Sequence, residues 1–132
     1  MANETTLVFE TSLPIPFTCA DNTGIEKGAI LALTDPMTVA TSGAANDIFG
    51  GIAAEEKIAN DGKTKIAVYR DGIFKVTIGG AASASTIGSD CVIMGINLVT
   101  NFTTLDGEKG ESFGKFLETG TAGETVLLEL GR

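Results

Sequence analysis

A chain built from a repeated unit is confined to folds that two such units can complete together, and this sequence carries its blocks twice. Ile25–Leu33 returns as Ile87–Gly95, Phe49–Glu55 as Phe113–Glu118, and Thr64–Tyr69 as Glu124–Glu129, in the same order and at offsets of 62, 64 and 60 residues. Each block is a short apolar run bounded by glycine or polar turn residues. A unit of this size can neither close its hydrogen-bonding edges nor bury its apolar face alone. The repeat therefore predicts an all-β fold, a compact β-barrel or sandwich built from a duplicated β unit, with the halves at about 24–78 and 86–130.

Strand and turn signals agree with that reading. Ala29–Leu33, Met37–Ala40, Ile48–Ala54, Lys65–Arg70, Cys91–Met94, Asn97–Thr100, Phe113–Glu118 and Thr125–Leu130 read as strands. Asn60, Asp61 and Gly62 tolerate positive φ and mark a turn. Asp71-Gly72 reads as a tight hairpin into Ile73–Ile78, where Phe74, Val76 and Ile78 alternate with Ile73, Lys75 and Thr77. Helical period is nearly absent, Ala53–Asn60 being the one short candidate. A hydrophobic fraction of 43% supports a core, and with one Tyr and no Trp that core must be filled by aliphatic side chains and Phe. One domain over residues 21–132 is expected, since a chain of this length buries about two-thirds of its unfolded surface.

The first twenty residues differ. Thr5–Glu10 can run as a strand, and Leu13-Pro14-Ile15-Pro16-Phe17 must be extended, because each proline biases the residue before it away from the helix. Residues 1–20 therefore read as an arm whose apolar side chains need a surface, on this molecule or on a neighbour.

Charge and missing chemistry exclude several functions. Nine basic side chains against 17 acidic ones leave −8, spread without a basic arm, so nucleic acid and anionic membranes are not expected as partners. The start lacks the basic and apolar regions of a secretory signal, and no run approaches the roughly 20 apolar residues of a membrane span. A soluble chain made in a cytoplasm is expected. Histidine is absent, which removes the commonest general base and metal ligand. Cys19 and Cys91 have no CxxC partner and read as small buried hydrophobes. Gly62-Lys63-Thr64 lacks the first glycine of a phosphate loop, Lys57 standing there, and reads as a turn. Carboxylates at Glu55-Glu56 and in Asp106–Glu111 lack EF-hand spacing, and Glu118 and Glu129 read as solvent-facing. No enzyme, metal or cofactor is expected. Phe49-Gly50 and Phe113-Gly114 read as packing pairs, the ring filling the core while glycine permits a bulge or close approach.

An ordered set of blocks follows the apolar arm: Gly24–Leu33 with Met37–Ala40, Ile48–Ala53, Val68–Phe74, Ile87–Val92, Phe113–Glu118 and Thr125–Leu130. Together they resemble the small tailed-phage capsid cement proteins, also called head decoration proteins. The resemblance spans nearly the whole chain, from Phe17 to Leu130. It implies a structural virion protein, made in the host cytoplasm, that binds the outer face of a capsid and clamps neighbouring capsid subunits. It also implies a homotrimer, with the major capsid protein as partner. On that reading Leu7, Val8, Phe9, Leu13, Pro14, Ile15, Pro16 and Phe17 of the arm contact the shell or an adjacent protomer. The polar excursion Thr103–Glu111 departs from the simplest members. Rival readings are another virion component (a head-completion or tail protein), a non-catalytic ligand-binding β module, and a carboxylate-based barrel hydrolase. The ligand-binding module would want exposed aromatics, and Tyr69 is the single Tyr.

Overall fold

The computed structural model describes residues 4–43, 47–79, 83–101 and 113–130. In chain order its strands are β1 (Thr6–Phe9), β2 (Ile15–Thr18), β3 (Ile30–Asp35), β4 (Thr38–Thr41), β5 (Phe49–Ala53), β6 (Lys65–Tyr69) and β7 (Gly72–Ile78). They continue with β8 (Ala84–Ser85), β9 (Asp90–Gly95), β10 (Leu98–Asn101), β11 (Gly114–Phe116), β12 (Gly120–Thr121) and β13 (Thr125–Leu130). The described residues contain no helix, so Ala53–Asn60 is not one and the fold is all-β.

The strands form two closed rings, which overturns the expectation that one unit cannot close its edges alone. The rings run over about 15–69 and 72–130 rather than 24–78 and 86–130, because β2 belongs to the first and β7 opens the second. The first ring runs β2-β4-β3-β5-β6 and back to β2. The second runs β7-β10-β9-β11-β13, and β13 returns to β7. In both rings the opening strand joins the tip hairpin in parallel, Thr18 opposite Thr38 and Thr77 opposite Leu98. Closure removes the unpaired backbone that a small sheet would otherwise expose.

Two further expectations need correction. Asp71-Gly72 is not the turn of a hairpin, because β6 and β7 belong to different rings. Both edges of β6 are taken by β2 and β5, and β7 pairs with β13 on one side and with β1 and β10 on the other. The first block of the repeat also aligns two residues differently. Gly28 N donates to Ala53 O as Gly88 N donates to Phe116 O, and Leu31 opposes Gly51 as Cys91 opposes Gly114. Ile30–Leu33 therefore matches Asp90–Ile93, at an offset of 60. The middle block differs because β5 carries one extra residue, Gly50, where the register slips between Leu31 and Ala32. A Cβ on Gly50 would stand 2.8 Å from Val39 Cγ1 and 3.0 Å from Leu33 N, so the bulge needs glycine.

The stretch read as an arm is split between the rings. β2 is a wall of the first ring, whereas β1 pairs antiparallel with β7 of the second. Prolines decide which edge β1 takes. Cys19 N donates to Thr64 O across to the β6 side, and Thr18 N donates to Met37 O on the opposite side. By alternation the backbone groups of Pro16 and Pro14 face that second side, where proline offers no N–H. The matching positions of β7 are Lys75 and Ile73, which oppose Thr6 and Phe9 of β1. The second ring thus has donors where the first has none.

The rings meet through a shared core. Ile30, Phe49 and Ile52 of the first ring cluster with Phe74, Ile93, Phe113, Phe116 and Leu128 of the second, while the interior of the first ring is a separate cluster around Phe17, Leu31, Ile66 and Val68. Phe49 and Phe113 stack with centroids 4.0 Å apart and planes 11° from parallel. Ile30, Ile52 and Tyr69 form one cross-strand row facing the second ring, the two isoleucines fully buried. The corresponding row of the second ring is Asp90, Lys115 and Glu129, half-buried at Asp90 and exposed at the others.

Asn97 completes the junction. It turns the second tip hairpin at φ 55, is fully buried, and its Oδ1 accepts the Ile30 N–H at 2.9 Å. Its counterpart Met37 holds φ 51 but is half exposed. Asn97→Ala orphans a buried N–H and places a less tolerant residue at positive φ. A loss of about 1–3 kcal/mol is expected in urea titration. Met37→Asn should instead be neutral or stabilising.

Candidate interaction surface

The arm residues fall into three environments. Phe17 is buried inside the first ring, which corrects its expected role at an interface, and it carries Arg70 over its ring at 5.8 Å. Leu7 is half-buried against the shared core, and Pro14 is half-buried. Val8, Phe9, Leu13 and Ile15 remain open, at 36%, 64%, 79% and 41% exposure, with Pro16 exposed among them. Four large apolar side chains in one short stretch thus meet solvent, which is unfavourable for an isolated molecule.

The stretch is tied down at several points. Thr5 donates to Gly28 O through both its N–H, at 2.8 Å, and its Oγ1, at 2.9 Å. Gly28 has φ +89, and a Cβ there would collide with Thr5 O, so the tether and the glycine require each other. Ser12 Oγ donates to Asp71 Oδ2 at 3.0 Å. Burial raises the Tyr69 phenol above its usual pKa, helped by its hydrogen bond to the Glu10 carboxylate. β1 thereby straps the two rings together, its inner edge on β7 and Thr5 on the first ring. Beneath it lies an open cleft of about 420 Å³ lined by Thr5, Thr6, Leu7, Lys27 and Tyr69.

Two of the carboxylates considered for chemistry serve the backbone. Glu55 Oε2 accepts the Ala67 N–H at 2.8 Å, and its repeat counterpart Glu118 Oε1 accepts the Leu127 N–H at 3.1 Å. Glu118 and Glu129 are exposed. Both cysteines are buried and free, and burial raises both thiols. Among the described residues no group of three or more His, Cys, Asp or Glu is placed to hold a metal. The carboxylates of Asp106–Glu111 lie outside the described residues, as does the excursion Thr103–Glu111.

One polar node was not legible in the sequence. Lys57 is 3% exposed, and its Nζ donates to Asp21 O at 2.8 Å, Asp61 Oδ1 at 3.1 Å, Ile58 O at 3.1 Å and Asp21 Oδ1 at 3.3 Å. Asp61 at i+4 was a visible signal, but Asp21 is brought in only by the closed ring. Desolvation opposes the ammonium, yet hydrogen bonds to Asp61 and Asp21 outweigh it and raise the Lys57 pKa. Asp61 is lowered, chiefly by the Lys63 N–H, then by Lys57. The lowered carboxyl contributes stability above its unfolded pKa that is lost as pH falls through the folded one. The raised ammonium contributes below its unfolded pKa and loses its share as pH climbs through the folded one. Lys57→Met should therefore melt well below wild type at neutral pH, with the gap narrowing once the pH falls below about 4. A gap that stays constant from pH 7 to pH 3 would remove the node from the account of stability.

No family model matches the chain, and no curated protein matches it. Among solved structures it is similar to the N base of the head fiber gp8.5 of bacteriophage phi29, with a TM-score of 0.57 and 17% identity, covering 89% of this chain and 93% of that one. At that identity the likeness is one of fold, and it takes in both rings.

Proposed function

We propose that the chain is a non-enzymatic virion protein that binds the outer surface of a phage capsid and stabilises it by clamping neighbouring capsid subunits. The observation that carries the reading is the fold likeness, over 89% of this chain, to a component of a phage head fiber. The sequence resemblance to capsid cement proteins points the same way. A rigid pair of closed rings suits a load-bearing part, and the acidic surface keeps it soluble before assembly. Repeated copies on a lattice gain from multivalency, so a single weak contact suffices. The working form is a homotrimer seated where neighbouring capsid subunits meet, with the exposed residues of the arm toward the shell.

The test is binding to heads of the source phage prepared without this protein. Saturable, stoichiometric binding that raises the temperature at which heads release DNA is the expected result. Heads that bind none of it, and are complete without it, would overturn the proposal and direct attention to a ligand-binding role.

A further inference from the structure

We infer that Val8, Phe9, Leu13 and Ile15, together with the outward carbonyls of Pro14 and Pro16, dock into an apolar pocket rimmed by lysine or arginine on a partner protein, by side-chain insertion rather than strand addition. The inference rests on the capsid reading and assigns the pocket to the capsid surface.

Three observations carry it. The first is the edge itself. On the side of β2 away from β6, β4 covers only Thr18. Pro16 and, by alternation, Pro14 present carbonyls there and no N–H, so an added strand would find acceptors without donors. The outer edge of β1 is no better, being four residues long with a register slip at Val8 and Thr5 already bonded to Gly28. With both rings closed, backbone pairing is not what this surface offers.

The second is the exposure of the side chains. Leu13 and Phe9 are the most exposed of the large apolar residues in the stretch, at 79% and 64%, and they stand on segments held by Ser12–Asp71 and by β7. A fixed backbone presenting projecting apolar groups loses little entropy on docking.

The third is the sign of the surroundings. Glu10 follows Phe9, and Asp71 sits on Ser12 beside Leu13, so carboxylates and bare carbonyls flank the patch. Of the nearby cations, Arg70 donates to Gly50 O at 2.9 Å and lies over Phe17, Lys75 opposes Thr6 at the far end of β1, and Lys27 lines the cleft beside Thr5 and Thr6 at that same end. A surface of acceptors asks for a partner of donors.

Full-length variants should be titrated onto heads lacking the protein, each first checked for an unchanged melting profile. Phe9→Ser and Leu13→Ser should each weaken binding about tenfold or more. Ile58→Ser, at an equally exposed site elsewhere, should bind like wild type. Pro16→Val, which restores the missing N–H, should shift affinity less than about twofold, whereas strand addition would make it bind tighter. Binding of wild type should weaken as salt rises. Retained binding in Phe9→Ser and Leu13→Ser, or tightening in Pro16→Val, overturns the inference while leaving the capsid reading intact. Sedimentation showing that Leu13→Ser abolishes self-association would give the patch to a second copy and likewise overturn it. Failure of wild type to bind is the failure of the capsid reading.

Discussion

Gly51→Ala should remove about 3–5 kcal/mol of folding stability, seen as a large drop in the urea midpoint with little change in slope. Gly51 adopts φ +134, a region that residues with a Cβ avoid. A Cβ there would overlap Val68 Cγ1 and come within 2.9 Å of Tyr69 O, so a core side chain and a strand backbone would both have to move. Neither can give easily, because Val68 is fully buried in the first ring and Tyr69 is paired with Ile52. Gly43→Ala is the matched control, since nothing lies within 4 Å of its added Cβ. It should change stability by no more than about 0.5 kcal/mol. An equal effect at the two sites would mean that β5 does not approach β6 as described.

Phe49→Ala should cost a similar amount, about 3–5 kcal/mol, but by a different route. Its ring is 7% exposed and stacked on Phe113, so truncation opens a cavity in the core that the two rings share. Wild type should unfold in one transition because each ring buries part of the other. Phe49→Ala should broaden or split that transition, with the second ring, which holds most of that core, melting last. A double-mutant cycle with Phe113→Ala should give a coupling of about 0.5–1.5 kcal/mol. Strict additivity, with a single sharp transition in every variant, would show that the rings are not joined through this stack.

Much of the fold was legible because period-two burial is a local signal. Phe74, Val76 and Ile78 point inward and Lys75 outward as their alternation requires. The repeat was legible for the same reason, though its alignment slipped where a one-residue bulge at Gly50 and a glycine pair, Gly28 and Gly88, set the true register. What could not be read was partner choice. Asp71-Gly72 has good turn chemistry, and only ring closure on both sides keeps β6 and β7 apart. The prolines announced an extended arm, but their deeper role, stripping donors from one edge so that β1 goes to the other, depends on which way each backbone group faces. The placement of the arm's apolar residues was half legible. Val8, Phe9, Leu13 and Ile15 are exposed as expected of a contact, whereas Phe17 follows the same pattern in sequence and ends inside the ring. Lys57 gave only the signal of Asp61 at i+4, since the rest of what surrounds a buried cation is brought in by the fold.

The contrast between the row Ile30–Ile52–Tyr69 and the row Asp90–Lys115–Glu129 bears on how such a gene can grow. Tandem duplication is the way repeats lengthen, and a third unit copied from the second would meet charge where the first unit offers oil. Asp90, Lys115 and Glu129 therefore keep that face of the second ring from receiving another ring as the first ring's row receives the second. Reversing those three to the apolar set would give molecules that stick to one another through a face meant to stay wet.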